Sequence, residues 1–256
     1  MIKFLTELDF HRWAVWSQLI IAVITFLSVI FVVAPYGRYE RSGWGWRVQK
    51  KHGWILMEFP AVAVFLALFL IGEKRLELIP LVFLGIWQIH YIHRAFIFPH
   101  RMRFSSRMIP LLVPVLGIAF NTLNAYINAR WLTHFGDYGS EWLYDPRFLL
   151  GLTVFVVGWL GHLDSDNKLR SLRKSGDTSY KIPKGGLYRW ISAPNYGCEI
   201  LMWIGWAIAT WSTPGLAFAL YSAANLAPRA LNHHSWYRKN FDEYPTERKA
   251  LIPYIL

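Results

Sequence analysis

The chain has 256 residues, 54% of them hydrophobic and 17% charged, with a formal net charge of +11 from 27 Lys and Arg against 16 Asp and Glu. Its apolar residues fall in long blocks that are apolar all round, as in Leu19 to Val33 and Ala61 to Ile71, which excludes a soluble domain whose elements bury one face only. The basic residues sit in particular loops between these blocks, so the charge points to membrane topology and a phosphate-bearing ligand rather than to nucleic acid.

In chain order the sequence predicts an all-α, polytopic integral membrane protein of seven transmembrane helices. The spans are expected near Trp13–Val33, Trp54–Gly72, Leu78–Phe98, Met108–Asn128, Phe148–Asp164, Tyr196–Trp211 and Leu216–Leu231. The first block, at ~20 residues, is long enough to stay in a bilayer rather than be cleaved as a signal peptide. Pro110, Pro114, Asn121, Asn124 and Asn128 interrupt the fourth block, which a membrane tolerates only where neighbouring helices or an internal cavity satisfy the polar groups. An enclosed pocket is therefore expected. The single cysteine, Cys198, excludes an intramolecular disulfide.

Basic loops follow spans one, three and five, through Arg38 to Lys51, Arg101 to Arg107 and Lys168 to Arg189, while the other connections are balanced or acidic. With a basic C-terminal tail, this alternation places the N-terminus outside and the C-terminus in the cytosol. No internal repeat or long linker divides the chain, so residues 1–256 are read as a single domain.

Ionisable groups inside a bilayer cost about 2.5–3.5 kcal/mol even on insertion scales, so each needs a partner or a function. Glu58 lies in span two, followed by Pro60, which frees a backbone carbonyl nearby; a carboxylate snorkelling at a helix end is the plainer explanation. Span three carries Gln88, His90, Tyr91, His93 and Arg94, lining two adjoining stripes of one helix. A Tyr hydroxyl beside a carboxyl group can donate to a developing enolate oxygen, whereas His-x-x-His without a further ligand is weak evidence for zinc, and no metal is expected.

A third cluster runs from His162, Asp164, Asp166 and Asn167 through Arg170, Arg173, Tyr180, Lys181 and Lys184 to Asn195 and Glu199. A positive-inside loop accounts for the cations alone. Its interleaved Arg, Lys, Asp and Asn also suit phosphates and ribose hydroxyls. Arg229, Asn232, His233, His234 and Tyr237 form a fourth cluster, where an interfacial belt explains the aromatics but not Arg229 or Asn232. No G-x-G-x-x-G, G-x-S-x-G or Walker motif is present, so any cofactor must bind within the bundle.

From near residue 34 onward, most strongly from His162, the chain resembles the steroid 5α-reductase family. The similarity is carried by His90-Tyr91-Ile92-His93-Arg94-Ala95-Phe96, by Ser165-Asp166 with Leu169-Arg170-Ser171-Leu172-Arg173-Lys174, and by Ser179-Tyr180-Lys181-Ile182-Pro183-Lys184-Gly185-Gly186-Leu187. Ala207 to Ser212 and Arg248 to Pro253 extend it. The resemblance implies a seven-span enzyme that uses NADPH to reduce the C4–C5 double bond of a 3-oxo-Δ4 steroid. It implies Glu58 and Tyr91 as the pair holding the substrate ketone, and cofactor contacts at Tyr36, Arg94, Asp166, Arg173, Tyr180, Lys181, Asn195, Trp203, His233 and Tyr237, with Glu199 close to the nicotinamide. Most of the NADPH site would then lie in residues 162–256, facing the cytosol. His162 stands where many members have Asn, and Lys181 where Arg is common; Lys keeps the charge but loses the bidentate fork.

The partners expected are a steroid or similar apolar enone and the lipid bilayer, either the endoplasmic reticulum or a bacterial inner membrane, with no nucleic acid and no obligate protein partner. Rival readings are a sterol-alkene or enoyl-thioester reductase, a methyltransferase using S-adenosylmethionine, which the density of phosphate-suited residues disfavours, and a sterol-binding or transport protein.

Overall fold

The computed structural model describes residues 6–33, 35, 37–102, 107–172 and 179–256. Among these, seven long helices run back and forth. They are α1 (Glu7–Phe31), α2 (Lys50–Leu70), α3 (Leu78–Ile92), α5 (Leu112–Arg130), α6 (Pro146–Ser171), α7 (Pro194–Thr210) and α8 (Thr213–Asn240), with a short α4 (Phe98–Arg101) between α3 and α5. Each expected span falls on one of the long helices. Five segments, Glu7–Phe31, Lys50–Leu70, Leu78–Arg101, Leu112–Phe135 and Pro146–Ser171, are long and apolar enough to cross a membrane. The 17-residue α7 is shorter, and α8 mixes Arg229, Asn232, His233 and His234 into its length. The outward faces suit lipid: Phe10, Trp13, Trp16, Ile20, Val23 and Leu27 of α1 are all exposed.

Three departures from the expected boundaries shape the interior. Helix α6 runs on to Ser171, past the expected end at Asp164, because Asp164 and Lys168 pair one turn apart and Ser165 Oγ bonds the Gly161 carbonyl at 2.7 Å. The third polar cluster, which begins at the end of the expected span, therefore stays helical through Arg170. Helix α8 likewise continues to Asn240, so His233, His234 and Tyr237 are helical. Two three-residue strands, β1 (Arg47–Gln49) and β2 (Met108–Pro110), pair antiparallel with Val48 opposite Ile109. Segments this short carry no readable periodicity, and the ribbon ties the start of α2 to the start of α5.

Helix ends are fixed by chemistry visible in the sequence. Thr6 and Asp9 form a reciprocal capping box on α1. Asp145 caps α6, accepting from the Arg147 backbone N–H at 2.8 Å; the Arg147 guanidinium bound to its side chain holds the Asp145 carboxyl down at about 2. Arg130 donates to both Glu7 oxygens at 2.6 and 2.8 Å, clasping α5 to α1.

The largest core cluster is aromatic. Phe65, Phe83, Trp87, Trp203, Trp206 and Phe218 bring α2, α3, α7 and α8 together, with ring centroids 4.4 Å apart for Phe65–Trp87, 5.2 Å for Trp87–Trp206 and 4.1 Å for Trp203–Phe218. Trp87 Nε1 donates to the Ala61 carbonyl at 2.8 Å and Gln88 Nε2 to the Val62 carbonyl at 3.1 Å. These bonds lock α3 on α2 just beyond Pro60.

Candidate active site

A cavity of about 960 Å³ opens among the helix ends that carry the basic loops, at the upper end of the roughly 300–1,000 Å³ that small-molecule sites occupy. Glu58, Tyr91, Arg94, Asp166, Tyr180, Lys181, Asn195, Glu199, Trp203, His233 and Tyr237 all line it. Tyr36 and Arg173 lie outside the described residues.

The deep part is built around Arg94, which sits in a π-helical segment, His93–Ile97, continuing α3. An inserted residue of this kind shifts the register of a helix and is frequent at functional sites. The Arg94 guanidinium lies between two carboxylates, 4.0 Å from Glu58 and 3.6 Å from Asp166, and over the rings of Trp54 and Phe98 at 4.9 and 4.6 Å. Two helices that are far apart in sequence are thereby linked. Glu58 also accepts from Asn121 Nδ2 at 3.4 Å, and the same nitrogen donates to the Met57 carbonyl at 2.7 Å. Tyr91 lies within electrostatic reach of Glu58 and Glu199, its ring 4.8 Å from Trp87 and stacked on Trp203 at 5.7 Å.

The wall from α6 and α7 is equally connected. His162 Nδ1 donates to the Asn195 carbonyl at 3.0 Å and lies 3.7 Å from Glu199, while its Nε2 is 3.4 Å from Asp166. Asn195 Nδ2 donates to Asp166 Oδ1 at 3.3 Å. The mouth of the cavity is aromatic and basic. Arg38 lies over the rings of Tyr180, Trp236 and Tyr237 at 5.2, 4.6 and 4.6 Å and donates to the Tyr237 hydroxyl at 3.3 Å. His233 stacks against Tyr39 at 5.6 Å and meets the Tyr196 hydroxyl at 3.2 Å. Burial raises the Tyr39 phenol above its usual range, keeping it a neutral donor.

Asn121, Trp54, Arg38 and Tyr196 line this cavity as well, although the sequence reading gave none of them a role in the site. Asn121 was visible as an amide inside a span, a signal for a buried partner that does not say which. Arg38 was visible only as one more loop cation.

A dinucleotide needs cations for phosphate and acceptors for hydroxyls and amides. Among the described residues, Arg38 Nη1, Arg170 Nε and His233 Nδ1 are buried without hydrogen-bond partners, and all three side chains line the cavity. Buried polar atoms left open in this way mark places for a ligand or water, and this donor set fits a phosphorylated nucleotide.

Comparison with known proteins agrees with the resemblance. The family model for 3-oxo-5-alpha-steroid 4-dehydrogenase matches residues 107–256. The chain is 41% identical over 251 residues to steroid 5-alpha-reductase DET2 of Gossypium hirsutum, covering 96% of this chain and 97% of that protein. It is 40% identical over 222 residues to 3-oxo-5-alpha-steroid 4-dehydrogenase 1 of Homo sapiens, covering 86% and 85%, and 38% identical over 254 residues to the Rattus norvegicus protein of that name, covering 98% of each. The chain therefore belongs to the 3-oxo-5-alpha-steroid 4-dehydrogenase, or steroid 5α-reductase, family of oxidoreductases acting on CH–CH bonds.

Proposed function

We propose that this chain reduces the C4–C5 double bond of 3-oxo-Δ4 steroids of the testosterone or progesterone type, with NADPH as reductant, from a single seven-span bundle whose cofactor site faces the cytosol. The observation that carries the reading is one cavity lined both by the buried pair Glu58 and Tyr91 and by the open donors of Arg38, Arg170 and His233. The names of the relatives supply the substrate class.

Bound NADPH would supply the hydride that adds to the β-carbon of the enone. Tyr91 donates its hydroxyl hydrogen to the ketone oxygen, and Glu58, fixed by Arg94 and Asn121, positions Tyr91 to do so. Charge moves onto the ketone oxygen as the double bond is reduced, so a donor fixed there stabilises the enolate more than the ketone, and a proton taken up from water at the α-carbon completes the saturated ketone. Arg94 keeps Glu58 and Asp166 at fixed separation. Asp166, Asn195, Tyr180, Lys181, His233 and Tyr237 serve the cofactor, with Glu199 and Trp203 beside its reacting ring. The aromatic wall of Trp203 and Phe218 excludes water from the carbon that takes the hydride.

Purified protein in detergent, given NADPH and testosterone or progesterone, is expected to consume the cofactor in step with a steroid product two hydrogens heavier by mass spectrometry. Cofactor binding without turnover of either steroid would overturn the substrate assignment and direct the search to sterol alkenes and enoyl thioesters.

A further inference from the structure

Asn225, in the middle of α8, lines the cavity but serves neither the ketone nor the cofactor in the arrangement above. Its amide makes no hydrogen bond to another described residue, and neither does the hydroxyl of Ser222, which lines the cavity one turn earlier. A polar group without a partner is costly at membrane depth, and Leu is the better helix former. Folding therefore gives no reason for an amide here, whereas a ligand that bonds it would.

The position of Asn225 on α8 says which ligand. At 3.6 residues per turn it projects within about 20° of Phe218 and about 40° of Tyr221, and the rings of these two meet Phe120 of α5 at 6.2 and 3.6 Å. Leu116 and Gly117, one turn before Phe120, line the cavity as well, so Asn225 faces its apolar side. His233, two turns further along α8, turns instead to α7, where the Tyr196 hydroxyl lies 3.2 Å from its ring nitrogen. Phe218 packs on Trp203 at 4.1 Å and Trp203 stacks on Tyr91 at 5.7 Å. Asn225 therefore stands two turns, roughly 10 Å, along α8 from the level of Tyr91. A rigid fused-ring enone whose ketone is held at Tyr91 brings its opposite end toward Asn225.

We propose that Asn225 is a specificity-determining residue that bonds an oxygen at the end of the substrate opposite the ketone, so that the chain prefers 3-oxo-Δ4 steroids with a hydroxyl or carbonyl there over those that end in hydrocarbon. This rests on the reading of the chain as a reductase of 3-oxo-Δ4 steroids. A carboxamide donates and accepts, so one residue serves a hydroxyl and a carbonyl alike, with the Ser222 hydroxyl as a second polar atom beside it. A hydrocarbon end would cover the amide and leave it unpaired, which is how a polar site rejects an analogue that lacks the matching group. The cofactor has its own open donors in Arg38, Arg170 and His233.

The test uses the full chain in detergent with NADPH and two substrates, testosterone and deoxytestosterone, the same enone without its hydroxyl. In the native chain kcat/KM is expected to be about 10-fold higher for testosterone, the scale of one hydrogen bond. Asn225→Leu is expected to bring that ratio to one or below through a higher KM for testosterone, while activity on deoxytestosterone does not fall and NADPH affinity is kept. Activity on deoxytestosterone also shows that the variant has folded; if Asn225→Leu is inactive on both steroids, the ratio is read from Asn225→Ala. A native ratio of one, or a native-like ratio in the variant, overturns the assignment. So does a loss of NADPH affinity in the variant, which would give Asn225 to the cofactor. A native chain that reduces neither steroid would instead retire the proposed reaction, and this assignment with it.

Discussion

Glu58 sits two turns into α2 with Asn121 as its hydrogen-bond donor and Arg94 4.0 Å away. A pair buried at this separation is an expensive arrangement, because desolvation of both groups offsets most of their attraction. Such a pair is weak as a staple and informative as a site. Helix α2 needed no carboxyl group to fold, since its other buried residues are Gly53, Pro60, Ala61, Phe65 and Phe69. Tyr91→Phe is expected to lower kcat by about 10²–10³, the range for loss of a preorganised donor at a developing oxyanion, and Glu58→Gln to lower it as well, because the amide gives up the charge that faces Arg94 and with it the placing of Tyr91. NADPH binding should be unchanged in both, because neither side chain serves the phosphates or ribose. Steady-state turnover measured beside cofactor fluorescence titration separates the two quantities; a variant that loses both together would mean that the residue holds the cofactor instead.

At the scale of elements, the site depends on how closely α6 and α7 approach, since His162 and Asp166 stand on one and Asn195 and Glu199 on the other. Small residues permit that approach. A Cβ added at Gly151 would lie 2.2 Å from the Ala209 nitrogen, at Gly158 2.5 Å from the Met202 nitrogen, and at Gly205 2.3 Å from the Phe155 nitrogen, so backbone rather than side chain stands in the way. Membrane helices associate through such contacts because lipid offers no hydrophobic gain between them. Gly158→Ala is therefore expected to push the helices apart, costing about 1–3 kcal/mol as overpacking does and weakening NADPH binding by separating Asp166 from Asn195. Gly85→Ala on α3, where nothing lies within 4 Å, serves as the matched control and should leave both quantities native. Thermal unfolding in detergent and cofactor titration read the pair. If the two variants unfold alike, close packing is not what holds α6 to α7.

Much of this was legible beforehand for a physical reason: apolar blocks and stranded charges are local signals. The blocks marked seven helices, and the polar clusters within and between them supplied side chains that the fold brings to one cavity. Pairings across the bundle were not local and stayed hidden. Asn121 and Asn124 were read only as interruptions of a span, though one bonds Glu58 and the other bonds Gln18 and Asn128. Gln18 drew no notice in a helix with an otherwise lipid-facing stripe, yet it is fully buried. The β1–β2 ribbon and the π-helical turn at Arg94 depend on tertiary packing that no short window encodes.

For the molecule as a whole, the two ends of the bundle differ in what closes them. One end gathers the start of α1, the α2–α3 turn, the end of α5 and the end of α7 through Arg130 on Glu7, Lys74 Nζ on the Gly136 carbonyl at 2.6 Å and the Tyr138 hydroxyl on the Thr210 carbonyl at 2.6 Å. The opposite end holds the cavity mouth, with Arg38 on Tyr237 and Arg101 on Asn167 at 3.0 Å. The basic loops meet at that second end, which is the face that the positive-inside rule expects in the cytosol. Cys198 is buried and is the single native cysteine, so an introduced cysteine reports its side of the membrane against little background. In intact cells, Arg12→Cys, exposed near the start of α1, is expected to react with a membrane-impermeant maleimide, and Asp242→Cys, exposed beyond the end of α8, only after permeabilisation. That pattern requires an odd number of crossings and a cytosolic cavity mouth, where NADPH would enter. Labelling of both sites without permeabilisation would instead put the two termini on one face and remove one of the seven spans, with α7 and α8, the least apolar of the long helices, the first to be re-examined.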